Sequence, residues 1–199
     1  MIYVLFGGRM TNEEKIKIAL DEHKKALENF PAGDVQKIAE TIAAALKNGN
    51  KLLICGNGGS CSDSQHFAGE IVGRFQQERP GLPAIALTAD SAVMTCLGND
   101  YGYEMVFARQ VQALGNKGDV FVGISTSGNS ANVVKAAEKA KEKGLTVISF
   151  TGQKDAKLHK ICDMTFRSPS VITAAIQEMH ITAIHIICGI VENVIFGKQ

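Results

Sequence analysis

Apolar positions recur at helical spacing from the eleventh residue onward. Thr11 and Glu14 form a T-x-x-E capping box, and Ile16, Ile18, Ala19, His23, Ala26, Leu27 and Phe30 follow it. "FPAG" interrupts this helix, and residues 34–48 predict a second one, closed by Gly49. The pattern then changes. Continuous apolar runs at 51–55, 84–88, 119–125, 145–150 and 163–168 alternate with periodic segments near 60–73, 90–97, 103–114, 129–143 and 155–162. Strands read as unbroken apolar runs when helices cover both faces of a parallel sheet. The alternation therefore predicts an α/β fold, a doubly wound parallel sheet flanked by helices. A long last helix is expected over 172–196, apolar nearly all round. Residues 1–10 are expected to be an extension outside the fold, and 11–199 a single domain.

Composition narrows the class. The chain has 199 residues, 45% hydrophobic and 21% charged, which suits one globular domain with a real core. A net charge of +1 with scattered Lys and Arg offers no footprint for nucleic acid and no polybasic patch for a membrane surface. Five widely spaced cysteines without a CxxC read as reduced thiols and suggest a cytoplasmic setting. The N-terminal apolar run is too short for a signal-peptide core, and no stretch is expected to reach the roughly 20 apolar residues of a membrane helix.

Two loops rich in small residues each follow a strand and open a helix: "CGNGGS" (55–60) and "STSGNS" (125–130). Open α/β sheets bind ligands beyond the carboxyl ends of their strands, where helix N-termini present free N–H groups. Neither loop is a P-loop, and "GNGGS" is not G-x-G-x-x-G. Three serines and a glycine within six residues suggest a phosphate monoester. An ordinary N-cap would use only one of those serines.

His66 and Glu70 are four apart on the helix that the first loop opens, so they share a face. H-x-x-x-E alone describes many surface pairs. The last helix adds Gln177, Glu178, His180 and His185 within an apolar segment, where buried polar groups need partners. Gln177 and His185, eight apart, point within about 80° of each other. His180 faces elsewhere and reads as a structural or interface histidine. His23 and His159 stand among charged residues and are expected to be solvated.

Taken together, "CGNGGS", "D-x-QHFAGE", "GND-Y-G", "GISTSGNSANV" and "IQEMHITAIHI" resemble the phosphoheptose isomerase family of the sugar isomerase (SIS) superfamily. The resemblance runs from about Asn12 to Ile195. It implies a five-stranded parallel sheet, a homotetramer with active sites at subunit interfaces, and interconversion of sedoheptulose 7-phosphate with D-glycero-D-manno-heptose 7-phosphate. That reaction opens the synthesis of nucleotide-activated heptose for lipopolysaccharide, capsule or S-layer glycans. By the same resemblance Ser125, Thr126, Ser127 and Ser130 are the phosphate cradle. Asn57, Gly58, Gly59 and Ser60, with Asn99 and Asp100, contact the sugar chain, and Gln177 also reaches the substrate. Glu70 and His185 are the acid–base pair, and His66, Glu70, Gln177 and His185 bind one zinc per subunit. The chain departs from the usual pattern at Thr173, Ala174 and Ala175, where members carry a polar Asp or Thr and an Arg. An auxiliary polar contact is therefore absent from this stretch. Gly69 stands where acidic or small residues are usual.

The chemistry of the residues agrees. Aldose–ketose isomerisation passes through a cis-enediol and needs a carboxylate near the carbon that loses its proton, a role open to Glu70. It also needs a group titrating near neutrality to move oxygen-bound protons, a role open to His185. Two rival readings come from other classes. Non-catalytic SIS modules that bind the bacterial replication initiator lack residues equivalent to Glu70 and His185. SIS isomerases for other sugar phosphates lack the combined H-x-x-x-E and Q-x7-H set.

Overall fold

The computed structural model describes residues 10–197. Apart from Met10, the expected N-terminal extension lies outside the described residues. The elements in chain order are α1 (Asn12–Glu28), α2 (Ala32–Lys47), β1 (Leu52–Gly56), α3 (Gly59–Val72), β2 (Ala84–Ala86), α4 (Ser91–Tyr101), α5 (Val106–Leu114), β3 (Val120–Ile124), α6 (Ala131–Glu142), β4 (Thr146–Thr151), α7 (Leu158–Ile161), β5 (Met164–Arg167) and α8 (Thr173–Phe196). All strands are parallel, in the order β2-β1-β3-β4-β5. This is the doubly wound five-stranded sheet that the apolar runs predict.

Strand alternation sorts the core into two layers. Leu52, Ile54, Val120, Val122, Ile148 and Phe150 face α2, α3 and α8, while Leu53, Cys55, Phe121 and Val147 face α5 and α6. Both faces are covered, which is why β1 and β3 contain no exposed residue. Each fully buried Ile, Leu or Phe contributes roughly 1.5–3 kcal/mol.

α1 starts at the expected capping box: the Thr11 hydroxyl accepts from the Glu14 amide at 3.2 Å, and the Thr11 amide donates to the Glu14 carboxylate at 2.8 Å. Its apolar stripe is nonetheless uncovered within one chain. Only Ala26 is buried, while Ile16 and Leu20 are 62% and 61% exposed.

Two helices differ from expectation. The periodic segment at 103–114 splits into a 3-10 turn (Tyr103–Met105) and α5, after Gly102 at φ +82° ends α4. The one expected at 155–162 shrinks to α7. Side chains take its leading amides: Ala156 N–H donates to His159 Nδ1 at 3.2 Å, and Lys157 N–H to Asn129 Oδ1 at 3.0 Å.

α8 also corrects the expectation that no segment could span a membrane. It has 24 residues, with mean hydropathy 1.7 over its most apolar 18-residue window, so length and composition alone would allow it. In the fold, Ile176, Met179, Ala183, Ile184, Ile187 and Val191 are buried in the core, and the helix packs on α1, α2 and α3.

Two histidines expected to be solvated are engaged. His23 Nδ1 lies 2.8 Å from Glu178 Oε2, tying α1 to α8. The His159 side chain is 8% exposed; since its Nδ1 accepts from Ala156, its Nε2 donates to Thr151 Oγ1 at 2.9 Å. A charged sequence neighbourhood did not keep it in water because β4 passes beside it. His180 is structural, as expected. It is fully buried, and its Nε2 donates to the Thr151 carbonyl at 3.1 Å.

Candidate active site

β1 and β3 are neighbours, with Gly56 opposite Ile124. The two small-residue loops therefore leave the sheet side by side, at the switch point where open α/β sheets place their ligands. A reciprocal amide pair joins them: Asn57 Nδ2 donates to Asn132 Oδ1, and Asn132 Nδ2 to Asn57 Oδ1, both at 2.9 Å. The Tyr103 hydroxyl adds a donor to Asn57 Oδ1 at 3.0 Å. Gly58 holds the turn into α3 at φ +58° and ψ −123°, a conformation that strains any L side chain. Ser60 is buried in the first turn of α3, and its carbonyl accepts from Ser64 Oγ at 2.7 Å.

In the second loop, Ser125 Oγ lies 3.0 Å from Ser130 Oγ and 3.4 Å from Ser127 Oγ. Three hydroxyls thus gather at the N-terminus of α6, where Ser130 is the N-cap residue but makes no side-chain cap bond. Gly128 adopts φ +63°, and a Cβ there would fall 2.4 Å from the Ala156 Cβ. Glycine is therefore required for the loop to pass under α7. Thr126 anchors the neighbouring β4 loop, its carbonyl accepting from Gly152 N–H at 3.0 Å. A cavity of about 290 Å³ opens here, lined by Thr126, Ser127, Asn129, Lys154 and Ser170 among others. Lys154 and Asp155 both line the cavity and offset each other in charge, so the hydroxyls and the N-terminus of α6 are what suit it to a phosphate group.

About two turns along α3, His66 Nε2 lies 3.0 Å from Glu70 Oε1, as the i,i+4 spacing predicts. α8 brings His185 to the same point, its Nε2 at 3.2 Å from His66 Nε2. Phe75 stacks on the far side of the His185 ring, with centroids 5.7 Å apart and planes 18° apart. The ligand atoms of His66, Glu70 and His185 all lie within 4.8 Å of one another. A single proton on His66 Nε2 cannot serve both neighbours well, whereas one cation can be the common partner of three lone pairs. Two imidazoles and a carboxylate are the donor set of a catalytic zinc site.

Gln177 meets α3 elsewhere. Its amide packs on Gly59, so closely that a Cβ there would lie 2.4 Å from Gln177 Nε2. The contacts of Gly59 with Gln177 and of His66 with His185 show α3 and α8 running alongside in the same direction. The amide thus sits at the glycine loop, about two turns before His185. Asn99 and Asp100 lie exposed in the last turn of α4; Asn99 Nδ2 donates to Asp100 Oδ1 at 2.9 Å, and Cys96 Sγ donates to Asp100 Oδ2 at 3.5 Å. Among the described residues, no hydrogen bond joins them to either loop. α4 has no buried residue, so this segment stands on the outside of the single chain.

Sequence reasoning missed three polar residues around these loops. Asn132 and Tyr103 fix Asn57, and the asparagine inside "GNSAN" could have signalled the first. Asp63 lies one turn before His66; burial pushes its carboxyl up to about 6 despite the opposing pull of His66, and its Oδ2 has no hydrogen-bond partner among the described residues.

The SIS domain family matches residues 19–152. Phosphoheptose isomerase of Burkholderia pseudomallei (strain 1710b) is 54% identical over 165 residues, covering 83% of this chain and 84% of the relative. Phosphoheptose isomerase of Thermodesulfovibrio yellowstonii is 50% identical over 190 residues, 94% of each chain. The solved structure of a phosphoheptose isomerase from Francisella tularensis superposes with a TM-score of 0.88 at 39% identity, covering 92% of this chain and all of that one. With these relatives and this geometry, the chain belongs to the phosphoheptose isomerase family of SIS-domain proteins.

Proposed function

We propose that this chain is an aldose–ketose isomerase that interconverts D-sedoheptulose 7-phosphate and D-glycero-D-manno-heptose 7-phosphate, the first step toward nucleotide-activated heptose. The convergence of His66 and Glu70 on α3 with His185 on α8 carries this reading. The substrate phosphate docks on the hydroxyls of Ser125, Thr126, Ser127 and Ser130. Asn57, Gly58, Gly59 and Ser60 line the sugar chain, with Gln177 reaching it from α8. Asn99 and Asp100, outside the single chain's loops, reach the sugar of a neighbouring subunit.

Glu70 takes the proton from C1 of the ketose and returns it to C2 of the enediol. His185 gives a proton to O2 and takes one from O1, so the substrate gains and loses none overall. His66, Glu70 and His185 would hold a zinc ion; Gln177, the fourth ligand implied by the family resemblance, would have to leave Gly59 to join them. The ion would polarise the carbonyl and offset developing negative charge on oxygen.

Exposed apolar residues on α1 (Ile16, Leu20) and α8 (Ile186), together with the unburied α4, support a homotetramer with sites at its interfaces. The enzyme would work in the cytoplasm, supplying heptose for lipopolysaccharide, capsule or S-layer glycans. Both Glu70 and His185 are present, which favours catalysis over a binding-only SIS module. The test is to incubate the purified protein with sedoheptulose 7-phosphate and follow aldoheptose phosphate by NMR. Glu70→Gln should lower the rate on the order of 10²–10⁴-fold. Wild-type turnover by the folded variant would remove Glu70 as the base, and no product from wild type would remove the substrate assignment.

A further inference from the structure

The loop between α3 and β2 is held by a buried ion pair that no periodicity in the sequence announces. Arg79 Nε donates to Glu192 Oε1 at 3.0 Å, and the two side chains are only 1% and 2% exposed. The rest of the guanidinium covers the C-terminus of α3. Nη2 donates to the carbonyl of Glu70 at 2.8 Å, and Nη1 to those of Ile71 (2.8 Å) and Gly73 (3.0 Å). A cation there also meets the negative end of the helix dipole. Glu192 in turn accepts the N–H groups of Phe75 at 2.7 Å, Gln76 at 2.9 Å and Gln77 at 3.0 Å. Burial pushes its carboxyl up, but these amides and Arg79 together hold it below the ordinary carboxylate value.

Each end of the pair leads to the candidate site. Arg79 grips the backbone of Glu70 itself. Glu192 lies seven residues after His185, on the same face of α8, and it holds the amide of Phe75, whose ring stacks on His185. We propose that Arg79 and Glu192 are positioning residues, a clasp that sets Glu70 against His185 and seats Phe75 on the imidazole. This rests on the reading of His66, Glu70 and His185 as the reactive and metal-binding cluster. A pair kept only for stability would not need to touch both the backbone of one reactive residue and the loop that packs on the other.

The test uses Arg79→Lys, Glu192→Gln and Phe75→Ala in the full chain. For each, thermal midpoint, kcat, KM, the pH–rate profile and Co²⁺ affinity with its d–d absorption are measured. Outer-shell partners of a metal site typically change affinity or activity about 10–100-fold. That loss is expected in kcat and in Co²⁺ affinity, with KM near wild type because the phosphate loop is untouched. Phe75→Ala keeps both buried charges and decides the matter if the other variants do not fold. Variants that lose only thermal stability, with kcat, Co²⁺ affinity and pH profile of wild type, would overturn the clasp. If wild type takes up no Co²⁺, the metal assignment fails separately. The clasp is then judged on the pH–rate profile of Phe75→Ala: a displaced limb supports it, and an unchanged profile overturns it.

Discussion

Acid should weaken this fold through one buried histidine. The His180 ring lies in the core against the edges of Phe150 and Phe166, at centroid distances of 5.7 and 5.9 Å. Its Nε2–H donates to the Thr151 carbonyl, and its Nδ1 has no partner among the described residues. Burial lowers its pKa from 6.5 to about 4, partly opposed by the bond to Thr151. The folded state therefore holds the neutral ring while the unfolded chain takes up a proton below 6.5. The stability linked to this group is complete above 6.5 and is lost as pH falls from 6.5 toward 4. A gap of about 2.5 units at 1.36 kcal/mol each amounts to about 3 kcal/mol. Carboxylates and other histidines also titrate in this range, so the measurement is a difference. Urea unfolding of wild type and His180→Leu is compared between pH 7 and 4 at one protein concentration. The variant should lose a pH-independent increment of about 1–3 kcal/mol, because the Thr151 carbonyl loses its donor. The difference between the two stabilities should shift by about 3 kcal/mol in the variant's favour as the pH falls. Parallel curves would refute a neutral buried His180.

Ser127→Ala and Ser130→Ala should each raise KM about 10–100-fold, since a hydrogen bond to a charged group contributes about 1.5–3 kcal/mol; steady-state kinetics with unchanged KM in both would remove the phosphate cradle. Gly59→Ala would place a methyl group 2.4 Å from Gln177 Nε2, the far end of a flexible side chain, so the amide should be displaced with little loss of thermal midpoint. Activity should fall in that variant, and wild-type kcat and KM would show that Gln177 is not needed where it sits. Native mass spectrometry should find an oligomer that covers α1 and the exposed side of α8, and a stable monomer at micromolar concentration would contradict it.

The order of elements was legible because the central strands β1, β3 and β4 are buried on both faces and α1 starts at a capping box; local spacing encodes both. The pairing of His66 with Glu70 was equally local, a matter of one helical turn. Residue types alone suggested a phosphate at "STSGNS", because hydroxyls and glycine at a strand-to-helix junction have few other uses. Tertiary structure decided what long-range packing controls. It brought His185 to His66 across 119 residues but laid Gln177 on Gly59. It buried His159 under β4 despite its charged neighbours and drew α8, apolar enough for a membrane, into the core. It joined Arg79 to Glu192 across 113 residues. Sequence spacing reports which residues share a face of one element. Which faces meet depends on how helices pack on the finished sheet, and that is fixed only when both core layers close.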